Sequence, residues 1–71
     1  MAFLAGEDGL IFYRTIVSLY KDKIEKDGFF AFEIGYDQGN SLREIAKPHG
    51  MRAEIIKDYS NNDRIAVLKF K

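Results

Sequence analysis

Cysteine and tryptophan are absent from this chain of 71 residues, and proline and histidine occur once each. Without cysteine there is no disulfide and no thiolate metal site, and a lone histidine leaves a structural zinc short of ligands. Such usage suits a reducing compartment, and the expected location is cytoplasmic. Eleven basic residues balance eleven acidic ones, so no overall positive field exists to attract a nucleic-acid backbone or an anionic membrane. No apolar run approaches the roughly 18 residues of a membrane span, and no basic-then-apolar leader opens the chain. Nucleic acid, membrane and metal are not expected as partners.

What is present suffices for one small folded domain over residues 1–71. The chain is 46% hydrophobic and 31% charged, a balance that favours a packed core over disorder. A core of this size rarely supplies more than ~3–5 kcal/mol. With disulfides and metals excluded, a partner surface is the remaining stabilising device.

Apolar periodicity orders the elements as helix, strand, helix, strand, strand. Residues 1–9 form an apolar lead-in ending in the turn Glu7-Asp8-Gly9, with Asp8 the expected N-cap. Tyr13, Ile16, Val17, Tyr20 and Ile24 then recur at helical spacing, widened by Phe12 and Leu19. This predicts a helix from Leu10 to about Lys26, closed by Asp27-Gly28 with Gly28 at positive φ. Phe29 to Ile34 is too apolar on both faces for a half-exposed strand and reads as one covered on both sides. A loop, Tyr36-Asp37-Gln38-Gly39, leads to a second helix with the stripe Leu42, Ile45, Ala46. Ser41 and Glu44 have the spacing of a capping box there, although the helix could begin a turn earlier. Pro48 disfavours α conformation at Lys47, and Gly50 completes the stop. Strands follow over Arg52 to Asp58 and Arg64 to Phe70, joined by turn residues 59–63.

The strand order can be reasoned from edges. The 59–63 turn makes the last two strands an antiparallel pair, so the first strand lies beside one of them. Arg52, Glu54, Lys57 and Asp58 are the charges that protect an edge, which puts the third strand in the middle. The expected sheet is three-stranded and mixed, in the order first–third–second, with the last strand central and antiparallel and a right-handed crossover through the second helix. Phe29 to Ile34 then has one flank open and only Glu33 as a polar group. Either residues 1–9 fold over that flank, or another strand is meant to lie there.

Three blocks now carry a resemblance. Gly6-Glu7-Asp8-Gly9-Leu10 with Phe12-Tyr13-Arg14, Phe32-Glu33-Ile34-Gly35 with Gln38-Gly39, and Lys57-Asp58-Tyr59 with Asn62-Asp63-Arg64 resemble the C-terminal third of the HemK/PrmC family. Two departures are Ala5-Gly6, where the family often has paired glycines, and Pro48 within what is usually a plain helix end. The family members are methyltransferases that use S-adenosylmethionine to modify a glutamine side chain of peptide-chain release factors. The resemblance implies a class I methyltransferase (Rossmann-like) α/β sheet whose last three strands run fifth–seventh–sixth. It also implies a fourth strand along Phe29 to Ile34. The family's glycine-rich cofactor turn and its Asn-Pro-Pro-Tyr motif have no counterpart: none of the six glycines forms Gly-x-Gly, and Pro48 is the sole proline. The expectation is therefore a C-terminal piece with no catalytic or cofactor-binding residues of its own, inactive alone.

Candidate residues are few. Glu33, Asp37 and Gln38 are the substrate-side candidates, because open α/β sheets bind ligands at the carboxyl ends of their strands. The structural alternative is that a buried Glu33 accepts loop N–H groups or pairs with an arginine. Phe29, Phe30, Ala31, Phe32 and Ile34 form the candidate oligomer edge. Two copies pairing along it give the alternative function, a self-associating structural module and homo-oligomer. A third option is an independent ligand-binding domain with a closed pocket around Glu33 and Asp37. His49 reads as a solvent-facing turn residue, Asn62-Asp63-Arg64 as turn chemistry with Arg64 pairing Asp58, and Tyr13 and Tyr20 as helix core. No Ser/His/Asp or Cys/His set can be assembled.

Overall fold

The helical repeat of Leu10, Tyr13, Ile16 and Val17 produces helix α1, Leu10–Tyr20, in a computed structural model that describes residues 9–71. Leu10 and Val17 are buried. The helix ends earlier than its apolar pattern suggests, because only Ile24 continues the stripe among Lys21, Asp22, Lys23, Glu25 and Lys26. Two tighter turns follow instead, with Lys23 N–H donating to Tyr20 O and Gly28 N–H donating to Glu25 O, each at 2.8 Å. Gly28 is not at positive φ; among the described glycines that role falls to Gly9 and Gly50. The N-cap of α1 is Gly9, at φ 72°, while the expected cap Asp8 lies outside the described residues. Tyr20, Phe12 and Leu19 are exposed, so they do not belong to the core.

Strand β1, Phe29–Glu33, alternates between outward Phe29, Ala31 and Glu33 and inward Phe30 and Phe32. Among the described residues one face of the strand is covered and the other is not: Phe29 is 58% exposed. Helix α2, Gly39–Ala46, starts two residues before Ser41, with Gln38 as N-cap and no side-chain cap bond. Ser41 and Glu44 therefore form no capping box. Lys47 stays helical at φ −52° and ψ −51°, against the usual preference before proline. The backbone there tightens into a single 3-10 turn, Lys47–His49, in which Pro48 needs no N–H partner. Gly50, at φ 72°, ends it as expected.

Strands β2, Met51–Lys57, and β3, Asp63–Phe70, complete a sheet in the order β1–β3–β2. The expected order is met, with β3 central. Both neighbour pairs are antiparallel, so the sheet is not mixed. The turn between β2 and β3 is organised by Asp58, whose Oδ1 accepts the N–H groups of Ser60 at 2.9 Å and Asn62 at 3.0 Å. Asn61 takes the left-handed conformation at φ 68° that this turn requires. Arg64 Nε lies 3.9 Å from Asp58 Oδ2, the expected pairing.

The core lies on one face of the sheet. Leu42, Met51, Leu68 and Val17 are its largest fully buried side chains, joined by Phe30, Ile34, Ile45 and Ala66. Each such burial contributes about 1.5–3 kcal/mol before conformational entropy opposes it. The opposite face carries Phe29 and Ala31, Ile65 and Val67, and Ile56 across the register. Charges occupy the rest of it, with Glu54 in ion pairs with Lys69 at 3.4 Å and Arg52 at 3.7 Å.

Candidate functional site

The residues singled out from the sequence meet at the carboxyl end of β1, but in different roles from those expected. Glu33 is exposed, and no charged side chain is buried among the described residues. Glu33 points from the outward face of β1, since alternation leaves the inward positions to Phe30 and Phe32. The expectation of a buried carboxylate is corrected accordingly. Its main-chain oxygen is engaged, accepting the Tyr13 hydroxyl at 2.9 Å.

Gln38 holds the turn that follows. Its backbone N–H donates to Gly35 O at 3.0 Å, and its side-chain Oε1 accepts the Gly35 N–H at 2.8 Å. The Tyr13 oxygen lies 3.4 Å from the same Oε1. One hydroxyl proton cannot serve two acceptors fully, and the shorter bond to Glu33 O takes it. Tyr13 is thus a strut between α1 and the end of β1, with its ring 5.0 Å from that of Phe32. Burial, and then the negative charge of Glu33, raise its pKa above the ordinary tyrosine value. Asp37 is exposed at the turn. The sequence reading missed Tyr13 as a strut because its helical spacing fits a core stripe equally well. Tyr36 is 73% exposed between Gly35 and Asp37.

The candidate oligomer edge divides in the same way. Phe30 and Ile34 are buried and Phe32 half-buried, so only Phe29 and Ala31 of that set present side chains to solvent. The main chain supplies the rest of the edge. Hydrogen-bonded pairs in an antiparallel ladder recur at every second residue. Ile34 N–H donates to Arg64 O at 2.8 Å, so Phe32/Ala66 and Phe30/Leu68 are the bonded pairs in this register. Phe29, Ala31 and Glu33 then direct N–H and C=O away from β3, where the Glu33 oxygen meets the Tyr13 hydroxyl and no strand among the described residues lies beside the rest.

Other candidates remain apart from this end. His49 is half-buried in the 3-10 turn and lines an open cleft of about 180 Å³ with Arg14, Ser18, Glu44, Ile45 and Pro48. That cleft and two other open ones include neither Glu33 nor Asp37 in their linings. No group of three or more His, Cys, Asp or Glu that could hold a metal occurs among the described residues. No helix among them is long and apolar enough to cross a membrane.

Comparison with known proteins decides the kinship. The chain is 38% identical over 68 residues to the release factor glutamine methyltransferase of Clostridium acetobutylicum, a match covering 94% of this chain and 24% of that protein. The enzyme of the same name from Fusobacterium nucleatum is 38% identical over 63 residues, which is 87% of this chain and 18% of the relative. That of Aquifex aeolicus is 32% identical over 66 residues, 93% of this chain and 24% of the relative. The chain is related to the release factor glutamine methyltransferases. It spans about a quarter or less of the length of these curated relatives, and the resemblance read from the three motif blocks stands. No protein-family model matches the chain, and no solved structure matches it.

Proposed function

We propose that this chain forms the sheet-closing C-terminal part of an S-adenosylmethionine-dependent methyltransferase whose substrate is a glutamine side chain of a peptide-chain release factor. The observation that carries this reading is the likeness to release factor glutamine methyltransferases along nearly the whole chain. The strand order β1–β3–β2 supports it, being compatible with the closing strands of a class I methyltransferase sheet. The outward main-chain row of β1 supports it too, because a further strand along Phe29 and Ala31 would satisfy their outward groups, the Glu33 oxygen already accepting the Tyr13 hydroxyl.

The described residues do not fit the cofactor. The turn after β1 spends two of its amides internally, Gly35 N–H on Gln38 Oε1 and Gln38 N–H on Gly35 O, and the chain has no Gly-x-Gly. The glycine-rich turn that brings a backbone close to a nucleotide is therefore not formed there. The contribution proposed for this chain is positioning: it closes the sheet and sets Glu33, Asp37 and Gln38 at the substrate side. By itself it is expected neither to bind S-adenosylmethionine nor to transfer methyl groups.

A chimera tests the reading. The matched 68-residue segment of the Clostridium acetobutylicum enzyme is replaced by its counterpart from this chain. Methyl transfer to that organism's release factor is then followed with labelled cofactor. The chimera is expected to be active and the same enzyme lacking the segment inactive. A folded chimera without transfer would overturn the proposal, and cofactor binding by the isolated chain would overturn the inactive part.

The outward row on β1 also favours a second reading, in which two copies pair antiparallel across Ala31. Sedimentation of the isolated chain at high micromolar concentration distinguishes the cases. A monomer refutes the pairing, and a dimer split by Ala31→Lys supports it.

A further inference from the structure

Resting on that reading, we propose that Gln38 is a positioning residue and not a substrate contact: gripped from α1, α2 and β3, it fixes the turn that carries Glu33 and Asp37. Its amide is turned to the protein at both ends. The Oε1 accepts the Gly35 N–H at 2.8 Å and has the Tyr13 hydroxyl 3.4 Å away, while a Cβ on Gly9 would lie 3.4 Å from the Nε2. The main chain is committed too. Its N–H donates to Gly35 O at 3.0 Å, and its oxygen accepts the Leu42 N–H at 3.1 Å. The residue that closes the turn therefore also starts α2. Tyr13 completes the grip from α1 by donating to Glu33 O at 2.9 Å.

The third strand holds the same point from the far side. Gly39 follows Gln38, and a Cβ there would stand 2.6 Å from Asp63 Oδ2; Asp63 is itself held by Lys57 Nζ at 2.7 Å. Tyr13, Gln38-Gly39 and Asp63 come one from each of the three sequence blocks that carry the family resemblance, and folding gathers them at one place. The turn organised by Asp58 differs in kind. Asp58 bonds Ser60 and Asn62 and faces Arg64, all within one hairpin, so hairpin closure accounts for it. The Gln38 turn is tied by elements remote in sequence, and it sits at the carboxyl end of β1, where open α/β sheets place their ligands. Restraint at that place serves a reaction in which a displacement of about 1 Å costs about 100-fold in rate.

The test uses the chimera, with Gln38→Ala, Tyr13→Phe and the double substitution, assayed at saturating release factor and cofactor where circular dichroism shows each protein folded. Each single substitution is expected to lower kcat about tenfold or more. The double should fall no further than the worse single within about twofold, because residues that act as a unit are non-additive. The KM for S-adenosylmethionine should hold steady. Tyr13→Phe keeps the ring packed, so it decides the matter if Gln38→Ala does not fold. An unchanged kcat in folded Tyr13→Phe would overturn the inference, leaving the network a purely structural one. So would a Gln38→Ala chimera that loses only KM for release factor, the mark of a direct contact, or a double that multiplies the two single losses. An unsubstituted chimera without transfer overturns the underlying reading, and this inference with it.

Discussion

Gly39 opens α2 and is buried against a carboxylate from another element. A Cβ at this position would stand 2.6 Å from Asp63 Oδ2, well inside the roughly 3.5 Å at which non-bonded heavy atoms attract. Asp63 cannot yield without consequence. Its Oδ1 binds Lys57 Nζ at 2.7 Å, and a carboxylate beside a helix N-terminus is favoured by the aligned peptide dipoles. Two effects of opposite sign therefore compete in Gly39→Ala. Replacing glycine in a helix favours folding by about 0.5–1 kcal/mol. Forcing a methyl into an occupied space costs about 1–3 kcal/mol. The clash should win, leaving Gly39→Ala destabilised by about 1–2 kcal/mol, or roughly 4–16 °C in Tm for a domain of this size. Removing the obstacle should reverse the sign: in an Asp63→Ala background, Gly39→Ala should stabilise by about 0.5 kcal/mol. Urea and thermal unfolding of the four proteins, followed by circular dichroism, gives the coupling directly, and the loss of the Lys57 ion pair cancels in the cycle. Stabilisation by Gly39→Ala in both backgrounds, or additivity within about 0.5 kcal/mol, would refute the argument.

Three further outcomes are expected. Gly50→Ala should cost about 1–2 kcal/mol through backbone strain alone, since φ is 72° and no atom lies within 4 Å of the new Cβ; Gly50→Asn should recover part of the loss in the same unfolding assay. Amide hydrogen exchange on the isolated chain, at a concentration where sedimentation shows a monomer, should show slow Phe30, Phe32 and Ile34 and fast Phe29 and Ala31, because only the first three donate toward β3; equal protection there would contradict the register. Tyr13 has a raised folded pKa, so its contribution is fully present below its unfolded value of about pH 10 and is lost as pH rises through the folded value. Ultraviolet titration should find that Tyr13→Phe removes a late ionisation, and Tyr13→Phe should flatten the decline of unfolding free energy above about pH 10.

Element order and strand order were legible because each rests on a local signal. The helical spacing through Val17, the apolar run from Phe29 and the turn residues around Asn62 are strong patterns, and the charges on β2 marked it as an edge. The boundaries read less well, because they depend on partners. Whether the helix reaches Lys26 turns on what Ile24 alone can bury. Whether Lys47 stays helical turns on the chain tightening into a 3-10 turn, which the Lys47-Pro48 pair does not announce. The candidate site was legible as a place and not as a set of roles. Glu33 and Gln38 are both polar groups beside Gly35, yet Gln38 faces the turn and Tyr13, while strand alternation sends Glu33 outward. Tyr13 escaped notice for a related reason: a phenol on an apolar stripe has one periodicity for two tasks, ring in the core and hydroxyl on a distant carbonyl.

The reading of β1 joins two demands that the structure separates. An apolar run such as Phe29-Phe30-Ala31-Phe32 says that both faces of the strand tolerate burial, and nothing of whether its main-chain groups are paired. In the described structure the two conditions come apart. One face is packed by Phe30 and Phe32, the other exposes Phe29 and Ala31, and the outward N–H and C=O row belongs to Phe29 and Ala31 with the Glu33 N–H, the Glu33 oxygen accepting from Tyr13. The exposed side chains and the open row thus sit on the same residues. A helix laid across the outer face would bury Phe29 and Ala31 but leave the row unsatisfied, whereas an added strand would pair the row and extend the face next to Ile65 and Val67. Pairing along the edge therefore answers a need that coverage of the face cannot, and an Ala31 amide that stays in fast exchange within an active chimera would be evidence against the whole seam.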